Sequence, residues 1–213
     1  MTLILSATCN DGIVVCADKR RTVKTRRDTQ YFDDLEKIYH FSDSQTLGFN
    51  HAINRIDGLE WQELLSKAET QIDFSITTPA EFVSHFEARA SDRIARELQT
   101  NRFDDSVGFI FCFARLNTSS WIRELYWRRG HAIERKTHAG LIRTGNGARY
   151  LDDHLASNLR INTVEYWYSL TVDQAIPELQ SLFETAVATK HKLNGSEFSD
   201  CFDVAYVRPK QEA

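Results

Sequence analysis

The sequence predicts an α+β fold, a four-layer αββα sandwich in which two stacked sheets lie between helical layers. Three observations carry the prediction. β-patterned runs open the chain, two helical segments follow, then more strands, two further helices and one last strand. The run Val107-Gly108-Phe109-Ile110-Phe111-Cys112-Phe113-Ala114 is apolar on both faces, which fits a strand buried between layers. No internal repeat, low-complexity tract or linker divides the sequence, so residues 1–213 read as one domain.

Each element has its own signal. Leu3-Ile4-Leu5-Ser6-Ala7-Thr8 forms a first strand, and Asn10-Asp11-Gly12, residues that tolerate positive φ, turn it into a hairpin. The returning strand, Ile13-Val14-Val15-Cys16-Ala17, ends at Asp18 beside the beginning of the chain. A second hairpin pairs residues 37–41 with 45–49 across Ser42-Asp43-Ser44. Over 54–72, Ile56, Leu59, Leu64, Leu65, Ala68 and Ile72 recur on one side of a helix. Thr78-Pro79-Ala80-Glu81 is a capping box with proline at the first helical position, opening a helix that carries Phe82, Val83, Phe86, Ile94 and Leu98. Residues 120–128, 131–136 and 140–144 continue the sheets. Gly145-Asn146-Gly147 then breaks the chain before a helix through Leu151, Leu155 and Leu159. A further helix spans 172–190, with Pro177 either in its first turns or kinking it, and 201–207 is the last strand.

Composition narrows the class. A chain of 213 residues with 42% hydrophobic content buries a substantial core, and nothing in it approaches the ~18 consecutive apolar residues of a membrane span. The apolar run from residue 3 has no charged leader or cleavage site, so no signal peptide is expected. Cys9, Cys16, Cys112 and Cys201 lack CxxC spacing, which points to reduced thiols, no metal, no cofactor and a cytoplasmic location. A net charge of −4 and a pI near 6.0 argue against nucleic-acid binding, and the basic run 19–27 reads as a solvated loop.

Thr2 stands directly behind Met1. Removal of Met1 would leave a hydroxyl and a free α-amine on one residue, a nucleophile with its own base. Around it stand Ala17-Asp18-Lys19-Arg20, Thr22, Lys37-Ile38 and Gly48, together with the Asp-Gly turn. In these residues and their order the chain resembles a proteasome β-subunit; a bacterial source would suggest one of the short homologues, such as the β-proteobacterial type. The resemblance implies a fold of the N-terminal nucleophile hydrolase type and a self-compartmentalised threonine endopeptidase that hydrolyses unfolded polypeptides. It implies a homo-oligomer of two stacked seven-membered rings, with six-membered rings as the alternative, and leaves room for an ATPase unfoldase as partner.

Residue by residue, the resemblance makes Thr2 the nucleophile, Lys37 the cation beside it, Asp18 the partner of Lys37 and Gly48 a backbone donor to the oxyanion. Gly48 also reads as a simple turn glycine. Thr22 and Asn50 would pair with an extended substrate by β-addition, and Arg21, Leu35, Thr46 and Asn50 would line the pocket before the cut bond. The groups that hold the threonine amine in the family correspond here to Asn146, within Gly145-Asn146-Gly147, and to His191 and Asn194. These are departures, because histidine cannot supply the negative charge of an aspartate. Phe49-Asn50-His51 also replaces the small residues that follow the family glycine. A catalytically weak or inactive ring-forming scaffold is therefore the alternative reading.

Overall fold

The computed structural model describes residues 2–24, 28–114 and 120–210. In chain order the strands and helices are β1 (Ile4–Cys9), β2 (Gly12–Asp18), β3 (Arg21–Lys24), β4 (Thr29–Phe32), β5 (Tyr39–His40), β6 (Thr46–His51), β7 (Arg55–Ile56) and β8 (Leu59–Glu60). They continue with α1 (Trp61–Glu69), α2 (Pro79–Thr100), β9 (Ser106–Phe113), β10 (Trp121–Arg128), β11 (Glu134–His138) and β12 (Leu141–Thr144). After these come α3 (Asp152–Ser157), α4 (Val164–Tyr168), α5 (Val172–Lys192) and β13 (Phe202–Val207).

Two antiparallel sheets form the centre. One has the order β12-β1-β2-β13 and the other β11-β10-β9-β6-β5. Alternation along the strands sorts their side chains into three apolar clusters. Ile4, Val15 and Ala17 from the first sheet meet Leu47, Phe49, Ile110 and Ile122 from the second. On the far face of the second sheet, Phe109, Phe111 and Phe113 pack against Leu65, Phe82 and Phe86 of α1 and α2. On the far face of the first, Leu5, Val14 and Cys16 pack against Leu179, Leu182 and Phe183 of α5. Every residue of β1 and β2 is consequently buried.

Local chemistry sets the elements. The Asn10-Asp11 turn gives the register Cys9↔Gly12 through Ile4↔Ala17, which delivers Asp18 to the start of β1. Thr78 caps α2, its hydroxyl accepting from the Glu81 amide while the Glu81 carboxylate accepts from the Thr78 amide. Pro177 falls in the second turn of an otherwise continuous α5.

The structure departs from the sequence expectations in four places. The helix expected over 54–72 begins only at Trp61, because Asp57 and Gly58, at φ of 49° and 82°, make a tight turn between β7 and β8. The basic run is partly the β3–β4 hairpin, and three of its cations are paired: Lys19 with Asp203, Arg20 with Asp33 and Arg21 with Asp34. Arg26 and Arg27 of that run lie outside the described residues. The helix expected through Leu151, Leu155 and Leu159 is a chain of short pieces: a 3-10 turn (Asn146–Leu151), α3, a second 3-10 turn (Leu159–Asn162) and α4. Non-helical dihedrals at Asn158 end α3 and leave Leu159 71% exposed. Finally, Lys37 and Ile38 precede β5 rather than belonging to it.

β6 ends in a strained kink, with Ala52 at φ 81°. A Cβ in that region costs about 1–2 kcal/mol, less the flexibility that glycine adds to the unfolded chain. Ala52→Gly is therefore expected to stabilise the protein by about 0.5–1 kcal/mol in urea unfolding. Phe82 is fully buried, edge-on to Phe41 and Phe111 at 5.2 and 5.3 Å and stacked on Phe74 at 5.8 Å. Its replacement by alanine should cost about 3–5 kcal/mol in the same measurement.

Candidate active site

Three side chains form a closed triangle at one end of the sandwich. Thr2 Oγ1 donates to Asp18 Oδ1 at 2.7 Å and accepts from Lys37 Nζ at 2.6 Å. Lys37 Nζ also donates to Asp18 Oδ1, at 2.7 Å. All three are buried, Asp18 completely.

The backbone explains the placement. Where β2 ends, the Asp18 amide donates to the Leu3 carbonyl at 3.0 Å and the Leu3 amide returns a bond to Asp18 Oδ1 at 2.8 Å. Thr2 is therefore held against the carboxylate by its neighbour's main chain. The segment carrying Lys37 is tied to the same place by the Leu35 amide, which donates to the Lys19 carbonyl at 3.0 Å. Asp18 Oδ2 accepts from the amides of Arg20 at 2.9 Å and Ser199 at 3.2 Å. Ser199 is itself fully buried, and its hydroxyl accepts from the Cys201 amide. Lys190 of α5 fixes this segment by donating to the Phe198 carbonyl at 2.8 Å and pairing with Asp200.

Burial pushes the Lys37 ammonium below the usual lysine range, against the opposing pull of Asp18. A lysine so placed gives up a proton more readily than one in water. It presses a cation on the Thr2 hydroxyl while it holds its charge, and it lies within proton-transfer distance of that oxygen.

Behind Thr2 lies the glycine loop. The Gly147 amide donates to the Thr2 carbonyl at 3.0 Å, and Gly145, at φ 86°, lies so close that an added Cβ would overlap that carbonyl. Two cavities open on Thr2. The larger, about 380 Å³, is walled by Arg21, Thr22, Lys37, Asn50, His51 and Phe103 among others. The second, about 350 Å³, is more polar and is bounded by His51, Asp104, Tyr126, Thr144 and Asn146.

The structure thus brings Asn146 to Thr2, and Arg21, Thr22 and Asn50 to the larger cavity. Asn50 anchors the kink by donating to the Ile53 carbonyl at 2.6 Å, and Arg21 lies over Phe32 with Asp34 at 3.3 Å. Other expected residues lie elsewhere. Gly48 sits mid-strand between Tyr39 and Phe111, its open side faces Leu65 of α1 and Phe41, and it lines neither cavity that opens on Thr2. Thr46 shares that face, where its hydroxyl donates to Asp43. Leu35 lines neither cavity. His191 is exposed on α5 and pairs with Asp200 at 2.7 Å, while Asn194 closes that helix at φ 54°. Sequence reasoning missed Ser199, Ala52 and Asp104. Ser199 works through its backbone amide and Ala52 through a conformation alanine seldom adopts, so neither leaves a compositional mark.

Among the described residues there is no group of three or more His, Cys, Asp or Glu that could hold a metal ion, and no helix is long and apolar enough to cross a membrane.

The sequence matches no protein-family model and no curated protein. Its structure is similar to that of Anbu, described as an ancestral β-subunit, from Yersinia bercovieri, with a TM-score of 0.58 and 12% identity over 97% of this chain and 81% of that one. It is also similar to a Gly-1 mutant of Anbu from Hyphomicrobium sp. strain MC1, with a TM-score of 0.57 and 12% identity over 98% of this chain and 82% of that one. At this identity the likeness is one of fold, and the fold is proteasome-β-like.

Proposed function

We propose that the chain is a threonine-type endopeptidase with the four-layer arrangement of N-terminal nucleophile hydrolases, acting on unfolded polypeptides. The observation that carries this reading is the buried triangle of Thr2, Asp18 and Lys37, in which the hydroxyl has one hydrogen-bond acceptor and one cation within 2.7 Å. With Met1 removed, the Thr2 amine takes the hydroxyl proton as Oγ1 attacks the scissile carbonyl, and returns it to the leaving amine. Lys37 supplies positive potential at Oγ1, and Asp18 orients both partners. Asn146 adjoins the amine side, while Thr22 and Asn50 flank the chain of an extended substrate. Thr22 lines the larger cavity, and its buried hydroxyl oxygen has no hydrogen-bond partner within the described residues.

A site of this kind exposed in a cell would cleave indiscriminately, so enclosure in a homo-oligomer of two stacked seven-membered rings, in the cytoplasm and served by an ATPase unfoldase, belongs to the same proposal. One observation favours the second reading, a weak or inactive scaffold subunit of such a ring. Gly48, His191 and Asn194 line neither cavity that opens on Thr2, which favours an oxyanion donor and part of the support for the amine drawn from other groups.

Intact mass should show the loss of Met1, and an electrophile that requires both hydroxyl and amine should label Thr2. Thr2→Ala is expected to abolish peptide hydrolysis with the oligomer unchanged by light scattering, because the Lys37–Asp18 pair survives it. Lys37→Ala should lower turnover at least about a hundredfold with the fold retained by circular dichroism; undiminished hydrolysis would remove Lys37 from the mechanism.

Arg21 adds a preference. A guanidinium on the cavity wall favours a carboxylate or polar side chain before the cut bond over a cation, by about 1–3 kcal/mol. Fluorogenic peptides differing only at that position should rank acidic and polar residues above lysine and arginine, and Arg21→Ala should flatten the ranking.

A further inference from the structure

A chain of polar groups crosses the second sheet toward Thr2. His51 Nε2 lies 3.2 Å from Glu124 Oε1, and His138 Nε2 lies 2.8 Å from Glu124 Oε2. The three belong to β6, β10 and β11, and β9 runs between His51 and Glu124. They can meet because residue 108, opposite His51 in the register, is glycine; a Cβ there would overlap the imidazole. The ring therefore lies across β9 and stacks on Tyr126, with centroids 5.8 Å apart and planes 18° apart. This face of the sheet looks toward the first sheet, and His51 lines both cavities that open on Thr2.

The hydrogen-bonding logic fixes the ring. Burial alone would push the Glu124 carboxyl up, but the bonds from His138 and His51 outweigh it and hold the group at about 2, so Glu124 is a carboxylate across the working pH range. A carboxylate only accepts, so both Nε2 atoms carry hydrogen, and a His51 ring holding one proton keeps its lone pair at Nδ1. The charged and titratable groups around it are Glu124 and Tyr126 on β10, His138 and Lys136 on β11, and Asp104 in the segment before β9.

We propose that His51, held by Glu124 and His138, is a substrate-contacting residue of the Thr2 site, whose Nδ1 accepts a hydrogen bond from an N–H of a bound peptide. The inference rests on reading that site as peptide-binding and adds a residue the resemblance does not assign. Glu124 and His138 are positioning residues, and they act only through His51.

The test uses the full chain carrying Thr2→Ala, which binds without turnover, and an end-blocked serine-containing heptapeptide. Nitrogen NMR of histidine-labelled protein should show His51 protonated at Nε2, with its Nδ1 signal shifting when the peptide is added. His51→Gln keeps an amide where Nε2 stood, and so keeps the Glu124 bond, but it removes Nδ1. It should weaken peptide affinity about three- to tenfold by calorimetry, with thermal stability unchanged. Glu124→Gln should let His51 adopt the other tautomer and weaken affinity similarly. Equal affinity in His51→Gln and its parent, an Nδ1–H tautomer, or no response of the ring up to millimolar peptide would overturn the inference. Peptide binding with a His51 response but no hydrolysis by the Thr2-containing protein would instead count against the proposed peptidase and leave this contact standing.

Discussion

The carboxylate of Asp18 is the constraint on which the site depends. It has no solvent exposure and accepts five hydrogen bonds: from Thr2 Oγ1, Leu3 N and Lys37 Nζ on one oxygen, and from the amides of Arg20 and Ser199 on the other. Those donors come from four stretches of chain, so one buried charge gathers the start of β1, the end of β2, the approach to β5 and the approach to β13. The bonds support one another: each donor removed leaves part of a buried charge unmatched and lowers stability, while the remaining donors still hold the carboxylate. The Thr2 hydroxyl is thus positioned by the same bonds that solvate the charge, and the site needs no separate device to hold it.

The apolar clusters supply the rigidity behind this network. β1 and β2 are covered by α5 on one side and by the second sheet on the other, so neither has freedom to shift register. The polar groups collect where that covering ends. Lys190 links the two levels, since its ammonium, buried at 2% exposure, holds the Phe198–Asp200 segment and through it the Ser199 amide beneath Asp18. A helix on the outer face thereby reaches the Asp18 carboxylate in two bonded steps.

Much of this is legible in the sequence because it is local. Asn10-Asp11-Gly12 specifies a hairpin, and a hairpin dictates that Asp18 returns to Thr2. Thr78-Pro79-Ala80-Glu81 and the doubly apolar run of β9 are equally self-contained. The failures lie where the reading depends on counting along the chain or on distant partners. Position after Lys37 suggests Gly48 for the Thr2 site, but strand alternation turns its open side to the opposite face, and the chain reaches the cavity on Thr2 from Asn50 onward. The Asp57-Gly58 turn hides within a helical pattern because Ile56 and Leu59 happen to keep the helical spacing. Ser199 meets Asp18 across 181 positions through a backbone group, which no side-chain pattern can announce. His191 and Asn194 match by position in a segment whose real work, at Ser199, is done several residues later.

The two cavities draw their walls from both sheets: Thr2, Thr144 and Asn146 from the strands and loop of one, His51, Ser106 and Tyr126 from the other. Thr2 and the facing wall therefore stand on different sheets, and the gap between them is spaced by the apolar layer of Ile4, Val15, Phe49, Ile110 and Cys112. That layer works as a shim. A change of one methylene there, far from any polar atom of the site, would alter how the halves of the cleft face each other while leaving every bond of the Asp18 network intact. The side chains that tune the width of this cleft are thus ones that no chemical inventory of it would include.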